Sequence, residues 1–309
     1  MSDAIIIGVD HGYAAMKSAH HSFPSGVVEY EHEPYTRKDV LEYGGRYYVV
    51  GTGRQPLQKD KTSAEDYYLL TLAAIAKELE YRGVGNAVNI RLAAGLPLTS
   101  FGRDKKKFRE YLIRDGKPVP FRYEDRDYLV AIQDVALFPQ GYAAVLTQAE
   151  LLDEPSVIVA DIGGWTVDLM RLDNRIPNAA ACRSLELGMI RCLDEISEKV
   201  RQVFGVSMTA AQIESALRGG AGSMDERVRA LIHAQAGFYV RNLLSAITES
   251  GLDARAMPAI FLGGGAGLLK RHVSATEGLC RPIILDDVCL NAKGYERLAE
   301  QMSGRAADV

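Results

Sequence analysis

Three stretches of this chain place glycine beside groups that could hold phosphate. In residues 157–172, VIVADIGGWTVDLMRL, an apolar, β-branched run ends in Asp161, Gly163 and Gly164, and a second alternating run carries Thr166 and Asp168. Adjacent glycines let backbone N–H groups approach an anion closely. Asp161 and Asp168, seven residues apart across the turn, are spaced to face a metal ion. The N-terminus repeats the arrangement, with the apolar run 5–9 followed by Asp10, His11, Gly12, Tyr13 and, seven residues after the acid, Lys17. The third stretch is the apolar run 258–262, which leads directly into Gly263, Gly264 and Gly265. A strand entering a helix through glycine favours phosphate, because bare N–H groups and the helix dipole both point at the anion. The 157–172 stretch thus reads as a grip for phosphate and magnesium.

The elements that must position these residues follow from the pattern. Residues 157–160 read as a buried strand, 161–164 as a tight turn, and Thr166 onward as a returning strand. A single hairpin can carry Asp and Gly for reasons of turn chemistry alone. Recurrence of the element half a chain apart instead suggests two related halves, each donating one carboxylate hairpin to a single nucleotide. A dinucleotide fold would place G-x-G-x-x-G after its first strand and before a helix, whereas here the first glycine turn leads to another strand. A Walker loop is excluded too, because the Gly116-Lys117 pair is followed by Pro118.

At 309 residues, 47% apolar and 25% charged, the chain is long enough for two domains with cores of their own. Its net charge of −4 argues against nonspecific nucleic-acid binding by the whole surface. The densest basic stretch, RDKKKFR at 103–109, reads as a solvated helix face whose inner side is Phe108, Tyr111 and Leu112. The N-terminus lacks the basic start and apolar stretch of a secretory signal, and no apolar run approaches bilayer-spanning length, so a cytoplasmic protein is expected. Cys182, Cys192, Cys280 and Cys289 have no metal-ligand spacing and are expected as buried reduced thiols.

Between the first two motifs, residues 23–48 read as short strands of a small outer subdomain, with a hairpin turn at Gly44-Gly45. Ser63 and Asp66 give a capping signal for a helix reaching Tyr81 and ended by Gly83. A strand at 87–94, a turn at 95–98 and the basic helix follow, then a hairpin of 119–123 with 128–135 across 124–127. Residues 140–146 read as a helix, and 150–155 as the link between halves. In the second half we expect a strand near 180–187 and helices at 188–204, after Thr209 and from Asp225 to Gly251. A last strand at 282–285 and a terminal helix containing Ala292 and Gly294 close the chain.

Two carboxylate hairpins followed by a late glycine turn resemble the nucleotide site of the actin superfamily over nearly the whole chain. Asp10, Gly12 and Lys17 match its first phosphate motif; Asp161, Gly163, Gly164, Thr166 and Asp168 match the second; Gly263, Gly264 and Gly265 match its adenosine motif. Residues 140–146 resemble the first connecting helix, and Ala292 with Gly294 the second, where small residues permit hinging. The small size, the 95–98 turn and the 51–60 segment resemble the plasmid-segregation actins of bacteria. The resemblance implies an α/β, actin-like ATPase fold: two related RNase H-like domains flanking a nucleotide cleft, each with a smaller outer subdomain. Domain I would span 1–150 with its outer part at about 22–85, completed by a C-terminal helix at about 288–309. Domain II would span 151–287, with its outer part at about 189–252.

For function, the resemblance implies ATP, or alternatively GTP, bound with Mg²⁺ held by Asp10 and Asp161 largely through water. Lys17 would meet the β and γ phosphates, and Gly12, Gly163 and Gly164 would cradle them, with Tyr13 alongside. Thr166 would add a hydroxyl, Asp168 would organise metal-bound water, and Gln140 would orient the attacking water, acting with Asp161 in catalysis. ATP hydrolysis would drive self-assembly into filaments that segregate plasmid DNA through a DNA-binding adaptor, touching centromere-like DNA only indirectly and no membrane. A small-metabolite or sugar kinase of the same superfamily is the alternative, as is a non-segregating cytoskeletal scaffold. His11, His20 and His21 are expected at surface or supporting positions, without a catalytic role.

Overall fold

The computed structural model describes residues 4–53, 60–220 and 222–307. Most of the 51–60 segment, and Ala221 in the 219–222 connection, therefore lie outside the described residues. The chain divides into two compact units, Met1–Gln148 with Cys289–Val309, and Ala149–Val288.

The first unit opens with β1 (Ile5–His11), β2 (Ala15–Ser18) and β3 (Ser22–Pro24), followed by β4 (Val27–Tyr30), β5 (Val40–Tyr43) and β6 (Arg46–Val50). Gly44 and Gly45, both at positive φ, make the β5–β6 turn. Then come α1 (Asp66–Tyr81), β7 (Ala87–Leu96), α2 (Leu98–Ile113), β8 (Val119–Tyr123), β9 (Arg126–Pro139) and the short α3 (Tyr142–Leu146). All nine strands join one sheet in the order β3-β2-β1-β7-β9-β8-β5-β6-β4. The outer strands thus continue the central sheet through the pairing of Leu41 with Tyr123. β1, β7 and β9 run parallel, and the apolar side chains of Ile7, Val9, Ile90, Leu92 and Ala94 are fully buried. Helix α1 is buried along nearly its whole length, which explains an apolar composition too broad for an amphipathic surface helix.

The second unit contains β10 (Ser156–Ile162), β11 (Val167–Asp173), β12 (Ile176–Pro177), β13 (Arg183–Leu185), α4 (Met189–Phe204), α5 (Ala210–Leu217) and α6 (Glu226–Glu249). It ends with β14 (Ala259–Leu262), α7 (Gly264–Ser274) and β15 (Pro282–Ile284). Its sheet runs β12-β11-β10-β14-β15, with β13 also on β11. Helices α4, α5, α6 and α7 form its core with Ile158, Ala160, Val167 and Phe261. The wiring of the two sheets matches: β10 pairs antiparallel with β11 and parallel with β14, as β1 pairs with β2 and β7. Asp10 and Asp161 each lie one residue before the end of the strand so flanked.

Helix α8 (Leu290–Ala307) returns to the first unit. It packs without side-chain spacers: a Cβ at Gly8 would overlap the Ala292 carbonyl, one at Gly95 would overlap the Tyr295 ring and hydroxyl, and one at Gly294 would press on the Ala143–Ala144 backbone. Three glycines on separate elements therefore set the depth of one helix.

Several local expectations need correction. Ser63 does not cap α1, whose N-cap is Glu65 without a side-chain bond; the Ser63 hydroxyl donates to the Asp60 carbonyl instead. Gly95 and Leu96 extend β7 rather than forming a turn, because pairing with Phe138 and Pro139 carries that strand onward. In the 180–187 region, Ala179–Ala181 is a 3-10 turn and the strand shrinks to β13. The Thr209–Gln212 capping box and the Asp225 cap form as the sequence suggests. Among the described residues, no helix is long and apolar enough to cross a membrane.

Candidate functional site

In the first unit, the register of β1 and β2 sets Asp10 opposite Lys17. Lys17 Nζ stands 3.1 Å from Asp10 Oδ2, and Gln140 Nε2 donates to Asp10 Oδ1 at 3.0 Å. Gln140 is not on a helix, contrary to expectation. It occupies the turn between β9 and α3, where its N–H donates to the Leu96 carbonyl at 2.9 Å. Gly141, at φ 72°, follows it, and its N–H donates to Asn291 Oδ1 at 2.9 Å. A side chain there would have to adopt a left-handed backbone, so the glycine permits the bend that turns Gln140 towards Asp10. Burial alone raises the Asp10 pKa, but the charges of Lys17 and Lys61 and the Lys17 hydrogen bond outweigh it. The carboxyl therefore titrates below its ordinary value and is ionised.

Gly12 lies where a Cβ would come 3.3 Å from Lys17 Nζ, so any larger residue would crowd that amine. Tyr13 follows it, its carbonyl accepting from the Ser25 hydroxyl. Lys61, which no motif in the sequence singles out, donates from Nζ to the His11 carbonyl and lies 5.2 Å from the Tyr13 ring centroid. Of the two positions expected for it, His11 takes the supporting one: it is fully buried and packed edge-on to Phe108. The Thr71 hydroxyl donates its one proton to the Tyr67 carbonyl at 2.6 Å, so at 2.8 Å it accepts from His11 Nε2. That fixes the tautomer with the proton on Nε2. Burial, reinforced by the Lys61 charge, pushes the His11 pKa down to about 3, and the ring is neutral at pH 7.

In the second unit, Asp161 and Asp168 pair across the β10–β11 hairpin. Asp161 and Ile162 belong to the strand rather than the turn, and Thr166 to the turn rather than the strand, because ladder pairing extends as far as Ile162 with Val167. The carbonyls of Gly163 and Gly164 accept from Met189 and Ile190 at the start of α4, at 3.0 and 2.9 Å. Among the described residues the Gly164 N–H has no protein acceptor. The turn thus uses its acceptors within the fold and leaves the Gly164 N–H as a donor. Asp168 accepts from the hydroxyls of Thr166, at 3.3 Å, and Ser184, so those three act as one polar group.

Gly263, Gly264 and Gly265 serve different ends. Gly263 has φ 88°, and Asp161 Oδ1 fills the space where its side chain would be. Gly265 makes room for Ile162 and Met189. Gly264 meets no atom that a Cβ would touch and has no positive φ. Nothing in the fold demands glycine there, at the first residue of α7, where the free N–H groups and the helix dipole favour an anion.

Among the described residues no group of three or more His, Cys, Asp or Glu could cage a metal. Magnesium suits the donors present, since it is held by one or two carboxylates, water and substrate phosphates. The four cysteines are free thiols; Cys182, Cys192 and Cys289 are buried as expected, whereas Cys280 is exposed. Each predicted site residue falls in one of two clusters: Asp10, Gly12, Tyr13, Lys17 and Gln140 in the first unit, and Asp161, Gly163, Gly164, Thr166, Asp168 and Gly263 to Gly265 in the second. Sequence reasoning missed Lys61, Thr71 and Asn291, which carry no local motif.

Residues 8–142 match the family model described as the N-terminal domain of actin-like proteins. No curated protein matches the chain by sequence. Among solved structures, the archaeal actin homolog Ta0583 aligns with a TM-score of 0.77 at 19% identity, over 96% of this chain and 99% of that one. Ta0583 is also known in complex with ADP. A subunit of a 15-stranded ParM filament from Clostridium botulinum aligns with a TM-score of 0.73 at 18% identity, over 97% and 99% of the two chains. Bacillus thuringiensis ParM with ATP aligns with a TM-score of 0.68 at 15% identity, over 97% and 100%.

Proposed function

On the premise that this chain has the actin-like fold, we propose that it is an ATPase whose nucleotide state governs assembly of its own copies into filaments. The observation that carries this reading is the repeated wiring: a carboxylate near the end of a strand flanked by a hairpin partner and a parallel neighbour, once at Asp10 and once at Asp161. Similarity in fold to an ADP-bound actin homolog, to ParM with ATP and to a ParM filament supports it. The finer reading is plasmid segregation through a DNA-binding adaptor.

When bound, Mg²⁺ would neutralise charge on the phosphates. Asp10 and Asp161 would hold it through water, Lys17 would meet the β and γ phosphates, and the N–H groups of Gly164 and Gly264 would donate to phosphate oxygens. Gln140 would present its amide to the attacking water, with Asp10 fixing the orientation of that amide. An amide is no general base, so slow turnover by the lone subunit is expected, with assembly improving the geometry.

Right-angle light scattering on adding Mg-ATP, with phosphate release followed in the same sample and Asp161→Ala as control, tests this reading. A concentration-dependent rise that decays as phosphate appears is the expected result. Hydrolysis with a flat scattering trace across micromolar protein would overturn assembly and leave a kinase as the reading to pursue.

A further inference from the structure

The turn that carries Gln140 is held from the far end of the chain. Gln140 donates its N–H to the Leu96 carbonyl of β7 at 2.9 Å, Tyr142 donates to the Gln140 carbonyl at 2.8 Å, and Gly141 donates to Asn291 Oδ1 of α8 at 2.9 Å. With Gly141 at φ 72° and ψ −48°, the Tyr142 bond closes a γ-turn of the positive-φ form, which is rare and strained. A strained turn keeps its shape only where its surroundings fix it. The bonds of Gln140 and Tyr142 join backbone to backbone. That of Gly141 depends on a single side chain 150 positions away.

Asn291 is buried, and the backbone beside it in α8 is wedged on two sides. The Ala292 carbonyl lies against Gly8 of β1, and Gly294 lies against the Ala143–Ala144 backbone of α3. A backbone N–H can only donate, so the Asn291 oxygen must face Gly141, which fixes the orientation of that amide. Removing the oxygen would leave a buried N–H without this acceptor, a strongly unfavourable state. Gly141 is the residue with the conformational freedom to relieve it by rotating. Gln140 directly precedes it, so such a rotation carries the Gln140 amide away from Asp10 Oδ1.

We propose that Asn291 is a positioning residue for hydrolysis: by holding the Gly141 N–H it keeps the Gln140 amide aimed at the attacking water. This rests on the nucleotide-hydrolysis reading above. The hydrogen bonds run from Asp10 on β1 through Gln140 and Gly141 to Asn291 on α8, so the seating of α8 enters the geometry of the reaction. Asn291 acts through the turn rather than on the nucleotide. It therefore governs the rate of phosphate release and not the affinity for nucleotide.

The test measures single-turnover phosphate release and Mg-ATP affinity for the wild type, Asn291→Ala, Asn291→Asp, Gln140→Ala and the Asn291→Ala, Gln140→Ala double variant. Asn291→Ala is expected to release phosphate about tenfold to a hundredfold more slowly, with less than about a threefold change in Mg-ATP affinity. Asn291→Asp keeps an oxygen at the same place and should recover most of the rate. The double variant should be within about threefold of Gln140→Ala alone, because both changes remove one contribution. If Asn291→Ala does not fold by circular dichroism, Asn291→Ser, whose hydroxyl is too short to span the bond, reads the same loss. A wild-type rate in the folded variant, or losses that multiply in the double variant, overturns the proposal while leaving hydrolysis intact. Wild-type protein that releases no phosphate from Mg-ATP overturns the hydrolysis reading and this proposal with it.

Discussion

Gln140 and Asp10, 130 positions apart in sequence, are joined side chain to side chain, with Gln140 Nε2 donating to Asp10 Oδ1 at 3.0 Å. The residue proposed to orient water is thus held by the residue proposed to hold the metal. Gln140→Ala should lower the rate of phosphate release by about tenfold to a hundredfold, the usual cost of lost positioning, with a much smaller change in nucleotide affinity. Gln140→Glu would set a second carboxylate against Asp10, and like charges at that range share a proton. Its hydrolysis should therefore acquire a pH dependence that the wild type lacks, visible in a rate profile across neutral pH.

Gly263 and Gly264 make a matched pair of substitutions. Gly263→Ala must place a methyl group on Asp161 Oδ1 at a positive φ. It should destabilise the protein by about 1–3 kcal/mol and displace the carboxylate. Gly264→Ala meets nothing in the fold and should leave stability unchanged or raise it by up to about 1 kcal/mol. If a phosphate approaches that backbone, Gly264→Ala nevertheless weakens nucleotide binding. Urea unfolding and nucleotide titration of the pair separate the two effects, and wild-type affinity in Gly264→Ala would remove the phosphate from the start of α7.

The depth of α8 should be as sensitive to single methyl groups. Gly8→Ala would drive a Cβ into the Ala292 carbonyl, a backbone atom that no change of rotamer can clear. A loss of about 2 kcal/mol or more is expected from overpacking of this kind. Thermal unfolding of Gly8→Ala measures it, and an unchanged melting temperature would mean that α8 is not seated as described.

Acid should destabilise the protein before its carboxylates titrate. His11 has its pKa pushed down to about 3 from 6.5, chiefly by burial. The unfolded chain therefore takes up the proton first, and stability falls as pH drops from the unfolded value towards the folded one. Burial also lowers the pKa values of His21, His233 and His272, so their contributions have the same sign. Between about pH 7.5 and pH 5.5, His11 alone should account for about 1.4 kcal/mol of lost stability. Urea unfolding at the two pH values measures the loss, and His11→Gln, neutral in both states, should show a smaller difference.

The motif-bearing elements were legible along the chain, because local chemistry encodes them. Alternating apolar residues and turn glycines specify the hairpins of Asp10 and Asp161, and a buried run broken by glycine specifies β14 and the start of α7. The capping box at Thr209 formed because both of its partners lie within one turn. The remaining features depend on packing between distant segments. Gly95 and Leu96 look like a turn but continue a strand, since pairing with β9 outweighs local propensity. Gln140 leaves the helix because Gly141 bends the chain and Asn291, from the far end of the sequence, receives its N–H. His11 reads as a polar residue near a turn, yet α1 and α2 enclose it, and Thr71 meets its one donor. Lys61 lies in no motif and reaches the hairpin of Asp10 only through the folding of a separate turn. Spacing along the chain encodes contacts within a hairpin or a helix turn, whereas contacts between distant segments depend on how whole elements pack.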